Sequence, residues 1–225
     1  MPQLQLVIAN KNYSSWSMRP WVLLTQAAVA FEEILLPFAE DNRVVGIEAY
    51  SPTRKVPVLM IDGEPVWDSL AIAETVAEMF PDRRLWPSDP AARRVARSAC
   101  AEMHSGFQEL RRQMPMNLRT KHPGKGRTPG SEKDLARIVA LWESCRMRFG
   151  GSGDLLFGHF TCADAMFAPV VTRFVTYDVA LPPVAARYRD AVLALPSVQA
   201  WCAAGRTETA YVAADEPYGT PPAAH

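Results

Sequence analysis

Three serines crowd one turn of this chain, in the stretch Tyr13-Ser14-Ser15-Trp16-Ser17-Met18-Arg19-Pro20. The apolar run Leu4 to Ile8 precedes it and reads as a buried strand, and Trp21 to Ala28 follows with the pattern of a helix. The serines therefore fall where a strand hands over to a helix. Such a junction presents unpaired backbone N–H groups and the positive end of the helix dipole. It suits an anion, and a thiolate is an anion. The plainer alternative is that one serine caps the helix and the others are loop residues. On this stretch alone the plainer alternative is the commoner one, so the rest of the chain must decide.

Other reactive side chains offer less. Cys100, Cys145, Cys162 and Cys202 are widely spaced, form no Cys-x-x-Cys pair and each fall within a helical pattern. They read as small buried residues of a reducing compartment, not as a disulfide framework or a zinc site. His104, His122, His159 and His225 show no metal-ligand spacing, so no metal is expected. Basic and acidic residues balance at 24 each, which argues against nucleic acid or an anionic membrane as partner. Apolar residues make up 48% of the 225, enough for a real core, and charged residues 21%, so the chain is not a disordered one. No apolar run approaches a membrane span, and no basic segment with a signal core opens the sequence. A cytoplasmic protein is the expectation.

The elements that must position the serines can be read in order. After the first strand a helix is expected from about Ser17 to Ala30, with Pro20 tolerated in its first turn. Phe31 to Phe38 reads as a second strand, and Asp41 to Tyr50 as weakly helical. Lys55 to Ile61 is a strand, Asp62-Gly63 a turn, and Glu64 to Trp67 the returning strand. Asp68-Ser69 caps a helix reaching about Phe80. The first 80 residues thus spell β-α-β-α-β-β-α.

Residues 81–90, with three prolines, read as a linker, and 91–225 as all-helical. One long helix is expected from Ala91 to about Leu118. A basic, Pro- and Gly-rich mobile loop then runs from Met114 to Gly130, its charges Arg119, Lys121, Lys125 and Arg127 solvated. Helices are expected from Ser131 to Phe149, from a Thr161-Cys162-Ala163-Asp164 capping box to about Tyr177, from Val184 to Leu195 and from Ser197 to Arg206. The tail after Ala213 reads as loose.

Taken together, a thioredoxin-like α/β half, a proline-rich linker and an all-α half resemble a cytosolic glutathione S-transferase over nearly the whole chain. The motifs that carry the likeness are the serine loop, the Val56-Pro57 opening of the third strand, the Asp68-Ser69 cap and the Thr161/Asp164 box. By motif the zeta or maleylacetoacetate isomerase-like group is nearest, where the loop reads Ser-Ser-Cys-Ser-x-Arg. Trp16 stands here where that pattern has cysteine, so the loop offers no thiol for omega-type thiol transfer.

The resemblance implies glutathione as co-substrate, held by residues 1–80, with 91–225 supplying the electrophile site. It implies a cis-proline at Val56-Pro57, the Val56 backbone pairing with the cysteine of glutathione like an added strand. Asp68 and Ser69 would hold the γ-glutamyl group, and Lys55, with Arg43 as an alternative, the glycine carboxylate. Trp16, in the serine loop, would be one of the glutathione-binding residues. Ser14, with Ser15 second, would donate a hydrogen bond to the sulfur. A free thiol titrates near 8.5, and lowering that by about two units requires ~2.7 kcal/mol of preference for the thiolate. A charge-assisted hydrogen bond and a helix N-terminus together can supply that. Arg19 would brace the loop, and Thr161 and Asp164 would be structural.

For the second substrate the candidate lining is Met103, His104, Phe107, Arg111, Met114 and Arg173. The two arginines would favour a carboxylate-bearing electrophile. The implied protein is a homodimeric, detoxifying enzyme that conjugates an electrophile or isomerises its double bond. Glutathione-dependent peroxide reduction is the rival within enzymes, and a non-catalytic interaction module the rival outside them.

Overall fold

The structure, a computed structural model, describes residues 2–39 and 41–219. Its first half is built on a four-stranded sheet of β1 (Leu4–Ala9), β2 (Glu32–Leu36), β3 (Val58–Ile61) and β4 (Glu64–Val66), in the order β2-β1-β3-β4. The pair β1–β2 is parallel, with Val7 opposite Ile34, and β1–β3 and β3–β4 are antiparallel. Both faces of β1 are covered, which is why its sequence is a continuous apolar run. Leu4, Leu6 and Ile8 face α1 (Ser15–Gln26) and α2 (Ser69–Met79), whereas Val7 and Ala9 pack with Val44, Ile47, Val58 and Met60.

Three expectations about this half change. Helix α1 starts two residues early, at Ser15, because the Ser14 hydroxyl caps it by accepting from the Ser17 N–H at 3.4 Å. Pro20 is therefore in the second turn, where its missing N–H leaves the Trp16 carbonyl without its helical partner. The helix expected over 41–50 is a single 3-10 turn, Ile47–Ala49, since Gly46 enters it at a φ of 81° and Ser51-Pro52 ends it.

The second half comprises α3 (Pro90–Ser105), α4 (Gln108–Gln113), α5 (Pro129–Phe149), α6 (Cys162–Thr176), α7 (Pro183–Leu193) and α8 (Pro196–Thr207). The long helix expected from 91 to 118 is broken at Gly106-Phe107. Phe107 takes a left-handed φ of 60°, and a Cβ on Gly106 would stand 2.7 Å from the Glu102 carbonyl oxygen. The break redirects the chain, and α4 packs against α5. Helix α6 is the core of this half, with every residue from Cys162 to Phe174 buried.

The capping box that opens α6 is fully buried. Asp164 accepts from the Thr161 N–H at 2.9 Å through one oxygen and from the Leu156 N–H at 3.1 Å through the other. Asp164→Ala leaves both N–H groups buried without a partner, at a cost of about 2–5 kcal/mol. The urea midpoint should fall accordingly. A loss no larger than the ~0.5 kcal/mol of an ordinary surface change would show that the box does not hold the core.

The four cysteines are free and buried, as their helical placement implied. Among the described residues no helix is long and apolar enough to cross a membrane, and no cluster of acidic, histidine and cysteine side chains has the makings of a metal site.

Two segments expected to be loose are held down. Residues 114–124 lie along α6: the Asn117 carbonyl accepts from the Thr176 hydroxyl at 2.8 Å, and the His122 N–H donates to the Thr176 carbonyl at 2.8 Å. Arg119 is likewise paired and not solvated. Beyond α8 the chain returns to the serine turn, where Val212 and Glu216 are buried. His225 and the end of the tail lie outside the described residues.

Candidate active site

A cavity of about 880 Å³ opens between the ends of the strands and the helices of the second half. Ser14, Ser15 and Trp16 line it from the serine turn, Val56, Pro57 and Asp68 from the sheet side, and His104, Arg111 and Arg173 from the helices. Residues scattered through the chain thus converge on one site.

The serine turn is rigid by its own hydrogen bonds. The Ser14 N–H donates to the Asn10 carbonyl at 2.8 Å, and the Asn10 side chain accepts from the Phe38 N–H at 2.7 Å. Ser14 as a residue is 5% exposed, and its hydroxyl takes the Ser17 N–H and donates to the Ser17 hydroxyl at 2.7 Å. Ser17 in turn accepts from the Ala9 N–H at 3.1 Å. An oxygen that already accepts a hydrogen bond is a stronger donor. The Ser15 hydroxyl makes no hydrogen bond among the described residues. Tyr13 also lines the cavity, but its hydroxyl proton is committed to Glu216 at 2.7 Å. Burial, reinforced by Glu216, pushes the Tyr13 pKa up to about 12.

On the sheet side, the Val56–Pro57 bond is cis, and Trp67–Asp68 is a second cis bond. The N–H and C=O of Val56 have no partner among the described residues, so the cavity wall presents an unused donor and acceptor side by side. Asp68 caps α2, accepting from the Leu70 N–H at 3.0 Å, and its other oxygen meets His104 Nε2 at 3.1 Å. Lys55 stands exposed on the wall. Arg43, with its side chain 77% exposed, sits at the rim and pairs with Asp41.

Ser69 is not on the wall. It is buried beneath Asp68, and its hydroxyl accepts from Arg19 Nη1 at 3.3 Å.

The helical side needs more correction. Met103, Phe107 and Met114 do not line the cavity; they are core residues. Met103 faces the interior of α3, and the left-handed turn at Phe107 drives its ring into the core. His104 does line the cavity, but it lies against Asp68 and the edge of the Trp16 ring, at 5.3 Å between centroids. It therefore belongs to the sheet side of the site.

Three guanidinium groups dominate the electrostatics. Arg19 lies over the Trp16 ring at 4.1 Å and Arg111 over the same ring at 4.8 Å. Arg19 is buried with Nε and Nη2 unpartnered and does not line the cavity. Arg111 donates to the carbonyls of Gly106 and Met103, leaving a buried Nη1 unpartnered. Arg173 donates from Nε to the Met114 carbonyl at 2.8 Å and from Nη1 to the Pro169 carbonyl at 3.3 Å, and its Nη2 has no partner among the described residues. Burial lowers all three. Arg173 falls to about 9 and Arg111 to about 10, and Arg19, next to both, drops well below its ordinary value. Clustered cations with unused donors are the reverse side of an anion site: a carboxylate placed among them would satisfy the donors and favour the charged guanidinium groups.

Asp215 on the cavity wall escaped the sequence reading, as did the part Tyr13 plays. Asp215 lies near Arg173, and burial pushes its carboxyl up to about 6. No local pattern marks it. Its place depends on where the chain goes after α8.

Comparison with known proteins gives a consistent result. The family model described as the glutathione S-transferase N-terminal domain matches residues 13–79, and the one for the C-terminal domain matches residues 91–204. A probable maleylacetoacetate isomerase of Caenorhabditis elegans is 32% identical over 172 residues, which is 76% of this chain and 79% of that one. The maleylacetoacetate isomerase of Rattus norvegicus is 27% identical over 194 residues, covering 83% and 87%. Among solved structures, a glutathione transferase homologue from Burkholderia with bound glutathione superposes with a TM-score of 0.70 at 23% identity, covering 92% of this chain and all of that one. That last likeness speaks to the fold.

Proposed function

Since the chain belongs to the glutathione S-transferase family, we propose that its cavity activates glutathione at Ser14 and delivers the thiolate to a small, carboxylate-bearing electrophile held by Arg111 and Arg173. Residues 1–80 are read as the glutathione-holding unit, 81–90 as the linker and 91–225 as the electrophile unit. The γ-glutamyl group would lie at Asp68 and the N-terminus of α2. The Val56 N–H and C=O would pair with the cysteine of glutathione, and Lys55 would meet the glycine carboxylate. Ser15 would support Ser14.

The thiolate adds to one carbon of an activated double bond, and the electron pair of that bond moves onto the conjugated carbonyl oxygen. Rotation about the resulting single bond, followed by expulsion of the thiolate, is isomerisation. Capture of a proton at the neighbouring carbon is conjugation. The names of the two animal relatives fit the isomerising arm.

One observation carries this reading. A serine hydroxyl at a helix N-terminus and the guanidinium groups of Arg111 and Arg173 border the same cavity, and each of the two has a nitrogen without a partner among the described residues. The test is the ultraviolet difference spectrum of the protein with glutathione across pH. A thiolate band titrating well below the ~8.5 of the free thiol supports the reading. Glutathione bound without such a band would leave the non-catalytic module in its place.

Asp68 can be tested without disturbing its cap, because asparagine caps a helix as well as aspartate. Asp68→Asn removes only the charge. The dissociation constant for glutathione, measured by calorimetry, should rise about tenfold, the low end for a charge-assisted hydrogen bond at a half-open position. Unchanged affinity would remove Asp68 from the glutathione site.

From the family we also read a cytoplasmic homodimer. Sedimentation should give twice the mass of the chain, and a monomer at micromolar concentration would refute this.

A further inference from the structure

The serine turn is not held by its own strand and helix alone. The Glu208 carboxylate accepts from the N–H of Lys11 at 2.7 Å and of Asn12 at 3.0 Å. The Asn12 side-chain oxygen accepts from the Leu118 N–H at 2.7 Å. The Tyr13 hydroxyl donates to Glu216 Oε1 at 2.7 Å and accepts from Arg119 Nη2. Arg119 closes the ring, donating to the carbonyls of Glu208 at 2.6 Å and Ala210 at 2.8 Å and pairing with Glu216 at 3.2 Å. Two remote segments, 117–119 and 208–216, thus grip residues 11–13 immediately before Ser14.

We propose that Glu216 and Arg119 are positioning residues for thiolate activation, acting on Ser14 through the Tyr13 hydroxyl. The inference rests on the serine-thiolate reading above.

The Glu216 side chain is 5% exposed and that of Arg119 21% exposed, so neither charge is stable there without the other. Arg119 has four acceptors arranged around one planar guanidinium, which leaves it a single orientation. Tyr13, kept protonated by burial, joins both charged side chains of this pair to the turn through its hydroxyl. The Ser15 N–H donates to the Tyr13 carbonyl at 2.8 Å, so a shift at Tyr13 passes directly to the serines. A hydrogen bond to sulfur depends on the placing of its donor, and a misplacement of about 1 Å costs ~100-fold in rate. A looser turn would place the Ser14 hydroxyl less well without emptying the glutathione site.

The decisive variant is Tyr13→Phe. It removes one hydroxyl and keeps the ring and the Arg119–Glu216 pair. The thiolate pKa of bound glutathione should rise by about half a unit to one unit, and kcat at neutral pH should fall about three- to tenfold. KM for glutathione should stay within about twofold. Glu216→Ala should shift the same pKa at least as far, Glu216→Gln should restore part of it by keeping an acceptor for Tyr13, and the double variant Tyr13→Phe/Glu216→Ala should be no worse than the poorer single one.

A purely structural role would lower the melting temperature while leaving the thiolate pKa of the folded protein unmoved. That result in both Tyr13→Phe and Glu216→Ala overturns the proposal. If wild type shows a low thiolate pKa that Ser14→Ala abolishes, and Tyr13→Phe leaves it alone, this inference fails and the serine reading stands. If wild type shows no such band, both fall.

Discussion

Ser14→Ala lowers turnover at neutral pH by at least about tenfold while leaving the dissociation constant of glutathione within about twofold. The hydroxyl oxygen of Ser14 is fixed at the positive end of α1 by the Ser17 N–H, and its proton rests on the Ser17 hydroxyl until an anion arrives. A thiolate beside it can draw that proton without moving the oxygen. Losing the hydrogen bond raises the thiolate pKa by about one to two units, and each unit is a tenfold loss of thiolate once the pKa exceeds the working pH. The sign is definite: the deficit is largest at neutral and acid pH, and shrinks as pH rises through the new pKa.

The same substitution removes a helix cap worth about 1 kcal/mol, so the melting temperature should fall by a few degrees. Turnover that recovers at high pH separates the chemical loss from the structural one. Ser15→Ala removes a hydroxyl that neither caps nor makes a hydrogen bond among the described residues. It should cost threefold or less. If Ser15→Ala is the damaging change and Ser14→Ala the mild one, the donor is Ser15 and the cap is all that Ser14 does.

Arg173→Gln is the second large effect. Glutamine can keep one donor for the Met114 carbonyl, but it lacks the charge and the free Nη2. For an electrophile carrying a carboxylate, kcat/KM should fall about 10- to 150-fold, the range of a charge-assisted hydrogen bond of 1.5–3 kcal/mol. The loss should fall mainly on KM. An uncharged electrophile should react within about threefold of the wild-type rate, because the thiolate end of the cavity is untouched. Equal losses for both substrates would show that Arg173 holds Met114 and Pro169 in place and does not bind substrate. Arg19, almost fully enclosed and bonded to Ser69, is the contrast: its loss should harm folding whatever the electrophile.

Much of the site could be read from local sequence. The serines mark themselves by falling between an apolar strand and an amphipathic helix. Val56-Pro57 and Asp68-Ser69 mark themselves by their order around a hairpin. The Thr161/Asp164 box is a pattern of four residues and was legible as such. In each case the determining interactions are short-range: a cap bonds to the N–H two or three residues on, and a strand alternates or runs apolar according to its own burial.

Local pattern misled where a side chain had two possible sides. Met103 lies on α3 beside His104 but on its buried face, and Phe107, left-handed in the break after Gly106, turns into the core, which leaves His104 and Arg111 on the wall. Ser69 carries the right chemistry one residue too deep. The 114–130 stretch has the composition of a mobile loop, yet its backbone groups find partners on α6.

What the sequence determined by itself was most of the elements, though neither the break at Gly106-Phe107 nor the single 3-10 turn at Ile47–Ala49, and the family chemistry of the site. Both follow from periodicity and from caps, which act within a few residues. What the tertiary structure alone decided was that Met103, Phe107 and Met114 turn away from the cavity, that the tail returns to present Asp215, and that Arg119 and Glu216 meet at Tyr13. The partners in that last contact are 106 and 203 residues from Tyr13 along the chain. No propensity spans such a separation. The contact exists because folding buries two opposite charges where each has the other as partner, and the cost of leaving either alone fixes the position of the turn they grip.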